Sequence, residues 1–384
     1  MKVGIFRQGD GAQDFYRATL PLLKAEDKKE IKTSQIWMGT LLQEVSERSA
    51  KFWETVSSDI YLLQRLGSKS FIEKIKSFVR EVGLKAKIVI DHDDDVFNVS
   101  PLSNHYVDFG TKELKIMHEG KLIHEWKHGV NIDLDKNNLA IEEFKQSVSR
   151  ADMVTVTTEA LANVFREYNN NVSILPNCID LNQWNKINIV RPNPKEIRIA
   201  WYGGNSHWED LLLIRNVLKK IGSKYPNVKI VMIGFKPITF ENDYRSGQVE
   251  FHEWVEMAAH PYRLAALDID IGVIPLKQTP FNNSKSPIKL IEFSAIQVPC
   301  VVSYISPYKE MADLSNGEAG IFIEENREEG WIEALEMLIN DSNLRQSIGE
   351  KERQIVKDHF DINTQYKQWI KAYEGLCQFQ ATPR

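Results

Sequence analysis

The sequence predicts an α/β protein of two domains, each built on a parallel sheet. Near-continuous apolar strings such as "KVGIF", "KIVID", "IRIAWYG" and "VKIVMIG" have the patterning of strands buried on both faces. Segments of helical spacing separate most of them, the alternation that gives parallel sheets covered by helices on both sides. With 384 residues, 42% of them hydrophobic, the chain has material for two full cores at about 100–200 residues each.

Taken in order, the first strands are "KVGIF", "DIYLLQ", "KIVID", "DMVTVT" and "VSIL", with the helix Phe71 to Val82 among the segments between them. From Tyr106 to Asp133 the alternation lapses, and "ELKIMHEGKLIHEW" predicts an inserted hairpin turning at Glu119-Gly120. The second set is "IRIAWYG", "VKIVMIG", "VEFHEW", "IDIGVIPL", "PCVVSY" and "GIFIEE", with a helix over Asp210 to Ile221. Between the sets lies "LNQWNKINIVRPNPKE", polar and proline-bearing, which places the linker near Val190 and divides the chain into 1–189 and 190–361.

A net charge of -5 provides no global attraction for nucleic acid or anionic lipid, although it leaves room for a local patch. Three cysteines, Cys178, Cys300 and Cys377, are too few and too scattered for a disulfide framework or a zinc knuckle. The chain begins directly on a strand-like string, and no apolar run approaches the roughly 20 residues that span a bilayer. The expectation is a cytoplasmic protein acting on small molecules. "FIEKIKSFVREVGLKAK" places Phe71, Ile75, Phe78, Val79 and Val82 on one side of a basic helix. That pattern suits a core helix with a solvated face, with peripheral membrane contact as the alternative.

Ligands of open α/β sheets bind beyond the carboxyl ends of the strands, so the loops there are the places to search. Gly203, Gly204 and Asn205 follow "IRIAWY" and precede a helix, a turn whose backbone permits close approach of an anion to the helix N-terminus. Ser206 and Glu209 stand at capping-box spacing, and the G-x-G-x-x-G spacing of a nicotinamide site is absent. Farther on, "SKSPIKLIEFSAIQVPCV" opens a helix with Ser286 as N-cap and Pro287 as first residue. Lys285, Lys289 and Glu292 fall on one stripe of it. The two ammonium groups suit a diphosphate and the carboxylate suits two ribose hydroxyls; a solvated charge pair is the alternative. The third string is "DHDDDVF", where Asp91, Asp93, Asp94 and Asp95 end the strand "KIVI". Four mutually repelling carboxylates need a cation, substrate hydroxyls or solvation. His92 and His207 are the histidines placed nearest these strings.

"PFNNSKSPIKLIEFSAIQVPCVVS" resembles the donor-binding end of GT-B glycosyltransferases similar to family 4, where a Glu-x7-Glu helix precedes a turn into a strand. "ADMVTVTTEALANVFREYNNNVSILPNCID" resembles the family's run into the interdomain linker, with Cys178 in place of the usual glycine. "RQGDGAQDFYRATLPLL" resembles the first loop and helix of its acceptor domain, which assigns Gly9, Gly11 and Arg17, with Asp94, to the acceptor side. "DINTQYKQWIKAYEGL", within 362–384, corresponds to the helix that crosses back onto the first domain. Trp254 and Val255 correspond to the base pocket, the indole stacking and the backbone hydrogen-bonding; Trp254 also suits a core. Two departures matter. Ser284 stands at the first motif glutamate, with Asn282 and Asn283 beside it as replacements. Trp208, Glu209 and Asp210 occupy the place of the family's diphosphate-gripping basic pair, which leaves Lys285 and Lys289 as substitutes and Arg7 and Arg17 as further ones.

The resemblance implies a two-domain GT-B enzyme that moves a sugar from a nucleotide-sugar donor to a hydroxyl-bearing acceptor with retention of configuration. It requires no cofactor beyond the donor. Asp93 and Asp95 are expected to serve the acceptor, with His92 as a further catalytic candidate that faces the donor sugar if the chain turns there; a divalent metal held by the aspartates is the alternative. An epimerase or hydrolase of the same fold and a non-catalytic nucleotide-sugar binder remain as other classes, and the acceptor is left open among saccharides, lipid-linked glycans and a modified DNA base.

Overall fold

The computed structural model describes the chain except for positions 7, 8, 10, 38, 40–48, 66, 67, 102, 104, 113, 114, 119, 125–131, 186–194, 238, 239 and 379–384. The predicted boundary at Val190 and the candidate Arg7 lie outside the described residues. The first half contains β1 (Lys2–Phe6), β2 (Lys32–Gln35), β3 (Ile60–Gln64), β4 (Lys87–Asp91), the hairpin strands β5 (Lys115–His118) and β6 (Lys121–His124), then β7 (Met153–Val156) and β8 (Val172–Ile174). The second contains β9 (Ile197–Gly203), β10 (Val228–Gly234), β11 (Val249–His252), β12 (Ile271–Ile274), β13 (Cys300–Ser303) and β14 (Ile321–Ile323).

Two parallel six-stranded sheets result, ordered β2-β1-β3-β4-β7-β8 and β11-β10-β9-β12-β13-β14. In each, the strand order reverses beside the first strand of the set, which opens a crevice at the carboxyl ends of β1 and β9. The β5–β6 hairpin pairs antiparallel, Lys115 opposite His124, as its sequence predicts. Strand β2 was not predicted. Its string "KTSQ" has no apolar run, and it needs none because it is an edge strand whose side chains are exposed or half-buried.

The helix Lys69–Glu81 is capped by Ser68, whose hydroxyl accepts from Phe71 N–H at 3.2 Å, and it buries Phe71, Ile72, Ile75 and Phe78. Its apolar face is therefore spent on the core, which removes the surface that membrane contact would use. Among the described residues no helix is long and apolar enough to cross a membrane. The helix Lys367–Gln378 buries Trp369, Ile370, Tyr373 and Leu376 in the same apolar cluster as Leu20 and Leu22 of the first helical run. A short parallel bridge between Ile179 and Asp361 and a 2.7 Å hydrogen bond from Tyr366 Oη to Glu30 hold the chain end to the first domain.

The first helical run starts at Ala12–Asp14, widens to π geometry over Phe15–Thr19 and continues as Leu20–Asp27. A π turn shifts the side chains that follow it around the helix axis, and such turns gather at functional sites. Here it buries Tyr16 and Arg17 together. Arg17 donates to both oxygens of Asp91, at 3.1 and 2.7 Å, and also to the Leu175 carbonyl. Thr155 Oγ1 completes the Asp91 shell at 2.7 Å. Arg17 is 1% exposed, so the acceptor-side and phosphate roles predicted for it give way to a structural one. Replacing it by alanine leaves the buried Asp91 charge uncompensated and is expected to cost about 3–5 kcal/mol. Urea denaturation at neutral pH measures this; a loss under 1 kcal/mol would show that the pair is dispensable.

Candidate functional site

The helix Ile288–Ala295 carries the stripe singled out in the sequence. Pro287, not Ser286, is its N-cap residue, because the Ser286 hydroxyl is drawn away to accept from Asn177 Nδ2 at 2.9 Å. Glu292 is 3% exposed and anchors the centre. Tyr16 Oη donates to its Oε1, Tyr202 Oη donates to Oε2, and His260 Nε2 stands 3.3 Å from Oε2. Burial alone would raise the carboxyl pKa, but His260 and the two phenols outweigh it and hold it below its ordinary value. The same exchange works on His260: burial depresses it, Glu292 more than compensates, and the net shift is upward. A carboxylate has about four acceptor positions. Three are occupied, by Tyr16, Tyr202 and His260, which leaves one open.

Gly203 closes β9, where a Cβ would come within 2.9 Å of the Trp201 ring and 3.3 Å of Lys289 Nζ. A side chain there would press on the Trp201 ring and crowd the ammonium beside it. Lys289 has no carboxylate within ion-pair distance among the described residues; its neighbours are the Trp201 and Tyr202 rings, at 5.8 and 5.6 Å. Burial lowers its pKa to about 8, with Lys285 adding to the effect. The expected Ser206–Glu209 capping box does not form, because a 3-10 turn over Asn205–His207 precedes the helix Trp208–Lys224 and Glu209 turns to Ser100 and Lys277. Asp210 is the organiser here. It bonds His207 Nδ1 at 2.8 Å, the Lys277 N–H at 2.8 Å and Asn282 Nδ2 at 3.1 Å. Burial brings the His207 pKa to about 4, so the ring is neutral; its Nδ1 hydrogen faces Asp210 and its Nε2 is left as an acceptor. An acceptor suits a sugar hydroxyl, not a phosphate.

The "DHDDDVF" string is not a solvated loop. Asp91 belongs to Arg17. Asp95 is 1% exposed and accepts from Phe97 N–H and Asn98 Nδ2, at 3.1 and 2.8 Å, which closes a local turn and takes both its oxygens from the cleft. His92 packs between Phe144 and Phe165, and burial lowers it to about 4, so it carries no charge at neutral pH. Asp94 crosses the cleft: its oxygens accept from Gln13 Nε2 at 3.0 Å and face Lys285 Nζ at 3.4 Å. Asp93 is different again. Its Oδ1 is buried without a hydrogen-bond partner among the described residues, and burial together with the Asp94 charge raises its pKa to about 7.

These groups meet in a cavity of about 240 Å³ between the domains, whose walls include Asp93, Gly204, His207, Trp254, Lys285, Ser286, Lys289 and Glu292. Trp254 is 48% exposed and leans over Gly234, where a Cβ would meet its Nε1 at 2.5 Å, so it is no core residue. Met257, not Val255, lines the wall beside it. Asn205, Asn283, Gly9 and Gly11 lie off this wall. Ser284 is also off it: its hydroxyl donates to the Pro280 carbonyl and its own carbonyl accepts from Thr158. Among the described residues no group of three or more His, Cys, Asp or Glu side chains is placed to hold a metal ion. Tyr16, Tyr202, His260, Gln13 and Asp210 were not among the predicted residues, and their one sequence signal is position at strand ends and first helical turns.

Residues 197–341 match the family described as glycosyl transferases group 1. The capsular polysaccharide biosynthesis glycosyltransferase CapM of Staphylococcus aureus is 27% identical over 115 residues, 28% of this chain and 28% of that protein. Over the whole chain, sucrose-phosphate synthase from Thermosynechococcus elongatus superposes with TM-score 0.65 at 13% identity, covering 98% of both chains. HepE from Anabaena, in complex with UDP and glucose, superposes with TM-score 0.61 at 13% identity, covering 97% of this chain and 99% of that one. The fold is GT-B.

The Glu292–His260 pair has a signature in stability against pH. A depressed carboxylate contributes above its ordinary value of 4.5 and loses that as pH falls through the folded-state pKa. A raised histidine contributes below its ordinary value of 6.5 and loses that as pH rises through its folded value. The stability gap between wild type and Glu292→Gln is therefore expected to peak between about pH 4.5 and 6.5 and to narrow on both sides. Denaturant titrations across that range measure it, and a gap independent of pH would dismiss the ion pair.

Proposed function

We propose that the protein transfers a sugar from a nucleotide-sugar donor to a hydroxyl-bearing acceptor, with retention of configuration. The observation that carries this reading is the Lys289 ammonium, held over the glycine turn of a GT-B cleft without a carboxylate partner among the described residues. A buried cation left unpaired is a site for an anion. The donor diphosphate would lie between Lys289, the N–H groups entering the helix Trp208–Lys224, and Lys285 once it leaves Asp94. The base would stack on Trp254, and one ribose hydroxyl would take the remaining position on Glu292. UDP in the HepE structure makes uridine diphosphate the first probe.

Bond breaking requires stabilisation of the leaving diphosphate while an oxocarbenium-like sugar forms, work suited to fixed cations and helix N-termini. Asp93 faces the same cavity with an open oxygen and a pKa near neutrality, which suits it to accept the acceptor's hydroxyl proton. A second cavity, of about 270 Å³, adjoins the first and favours transfer over hydrolysis or epimerisation, which need no second substrate.

Calorimetry with uridine, its monophosphate and its diphosphate tests the donor assignment. Lys289→Ala should cost the diphosphate about 1.5–3 kcal/mol and spare the nucleoside; equal losses for all three ligands would refute the phosphate role. In the wild type, diphosphate affinity should fall as pH rises through about 8, because the ammonium is then lost, and Lys289→Arg should move that fall to higher pH. Asp93→Asn should slow transfer by roughly 10²–10⁴-fold and abolish the rise in rate towards pH 7 while donor affinity holds. Donor affinity that collapses on chelation and recovers with magnesium would instead return the aspartates to a metal.

A further inference from the structure

The 270 Å³ cavity beside the donor site is partitioned by chemistry. Val96, Val99, Phe109, Ile141, Phe144 and Phe281 give it a carbon wall. Its polar groups belong to one connected cluster: Arg65 donates to Gln13 Oε1, Gln13 donates to Asp94, and the Asp94 N–H reaches His92 Nδ1 at 3.4 Å. His105 adds its field at Asp94. Gln13 and Asp94 line the donor cavity as well, so the polar end of this space is the end that meets the donor. Lys285, the Asp94 partner, lies 4.4 Å over the Phe281 ring and ties that wall to the same junction.

We infer that the acceptor is amphipathic: an aryl body occupies the carbon-walled end while its hydroxyl reaches the junction near Asp93 and Asp94. This rests on the glycosyl-transfer reading and names its second substrate class. A dry cavity of ~150 Å³ already takes a benzene ring, so this one has room for a ring with a short arm. A bare sugar would bring hydroxyls that the carbon wall leaves without partners, and a nucleobase would bring amide edges with the same penalty.

Phenyl and methyl β-glucosides present the same sugar hydroxyls and differ only in the apolar group, which makes them the probe pair. With the protein saturated in uridine diphosphate, calorimetry is expected to show the phenyl glucoside binding at least tenfold more tightly. Ala140 sits on the exposed rim of the cavity, where a larger side chain can enter without disturbing the core. Ala140→Trp should abolish the preference and leave uridine diphosphate affinity unchanged. Equal binding of the two glucosides, a preference that persists in Ala140→Trp, or tighter binding of a hydroxymethylcytosine oligonucleotide than of the phenyl glucoside would each overturn the proposal. The uridine diphosphate titration reports separately on the donor: if it fails while the phenyl preference and its loss in Ala140→Trp hold, the donor assignment falls and the apolar pocket stands.

Discussion

A carboxylate as deeply buried as Glu292 stays charged only if the surrounding fold brings donors to it, and the arrangement of the cleft follows from that requirement. Its donors come from three separate stretches of chain: Tyr16 from the π turn, Tyr202 from the end of β9 and His260 from the start of the helix His260–Ala266. Tyr16 belongs to the first half of the chain and Glu292 to the second, so the hydrogen bond that satisfies the charge also joins the two halves, together with Asn177–Ser286, Thr158–Ser284 and Ser100–Glu209. With Glu292 fixed, the helix that bears it is fixed in rotation, and Lys289, one turn earlier, is held over Gly203. The cation's position depends on the anion's partners.

Charge is divided across the cleft in a way that keeps both sides poised. The second domain contributes Lys285 and Lys289, and the first contributes Asp93 and Asp94. Asp94 and Lys285 neutralise each other at 3.4 Å, partly exposed, a pair weak enough to exchange. Among the described residues Asp93 and Lys289 have no such partner. Burial pushes both towards their neutral forms, the carboxyl up and the ammonium down, which brings their pKa values to about 7 and 8. Groups shifted this way respond strongly to an arriving charge or hydroxyl, as functional groups do and purely structural ones need not.

The strands were legible wherever both faces are covered. β1, β4, β9 and β10 carry the predicted bounds, since the interior of a doubly buried strand is a nearly continuous apolar run and the string shows it, with charges such as Lys2, Asp91 and Arg198 at or near the ends. β2 was invisible because an edge strand of exposed side chains has no such demand. In the site, the helix Ile288–Ala295 and the glycine turn could be found because local spacing encodes them. The aspartate string was read as one unit and proved to be four residues with separate duties, since the partners that distinguish them lie at Arg17, Thr155, Lys285 and Asn98. Only Asn98 is local. Tyr16, Tyr202 and His260 escaped for the same reason: a tyrosine that serves a carboxylate 276 positions away leaves no spacing to detect.

Ser284 shows how the absence of one carboxylate redistributes recognition. A glutamate at this position would add a carboxylate where Pro280–Asn283 ends; the serine is buried and joins Pro280 to Thr158. Under the proposed reading, contacts to the donor sugar then fall to groups that accept hydrogen bonds without carrying charge. His207 is built for this. Asp210 holds its Nδ1 hydrogen, burial keeps the ring neutral, and Nε2 presents a lone pair. A neutral acceptor beside Lys289 does not compete with the diphosphate for the ammonium, as a carboxylate in the same place would.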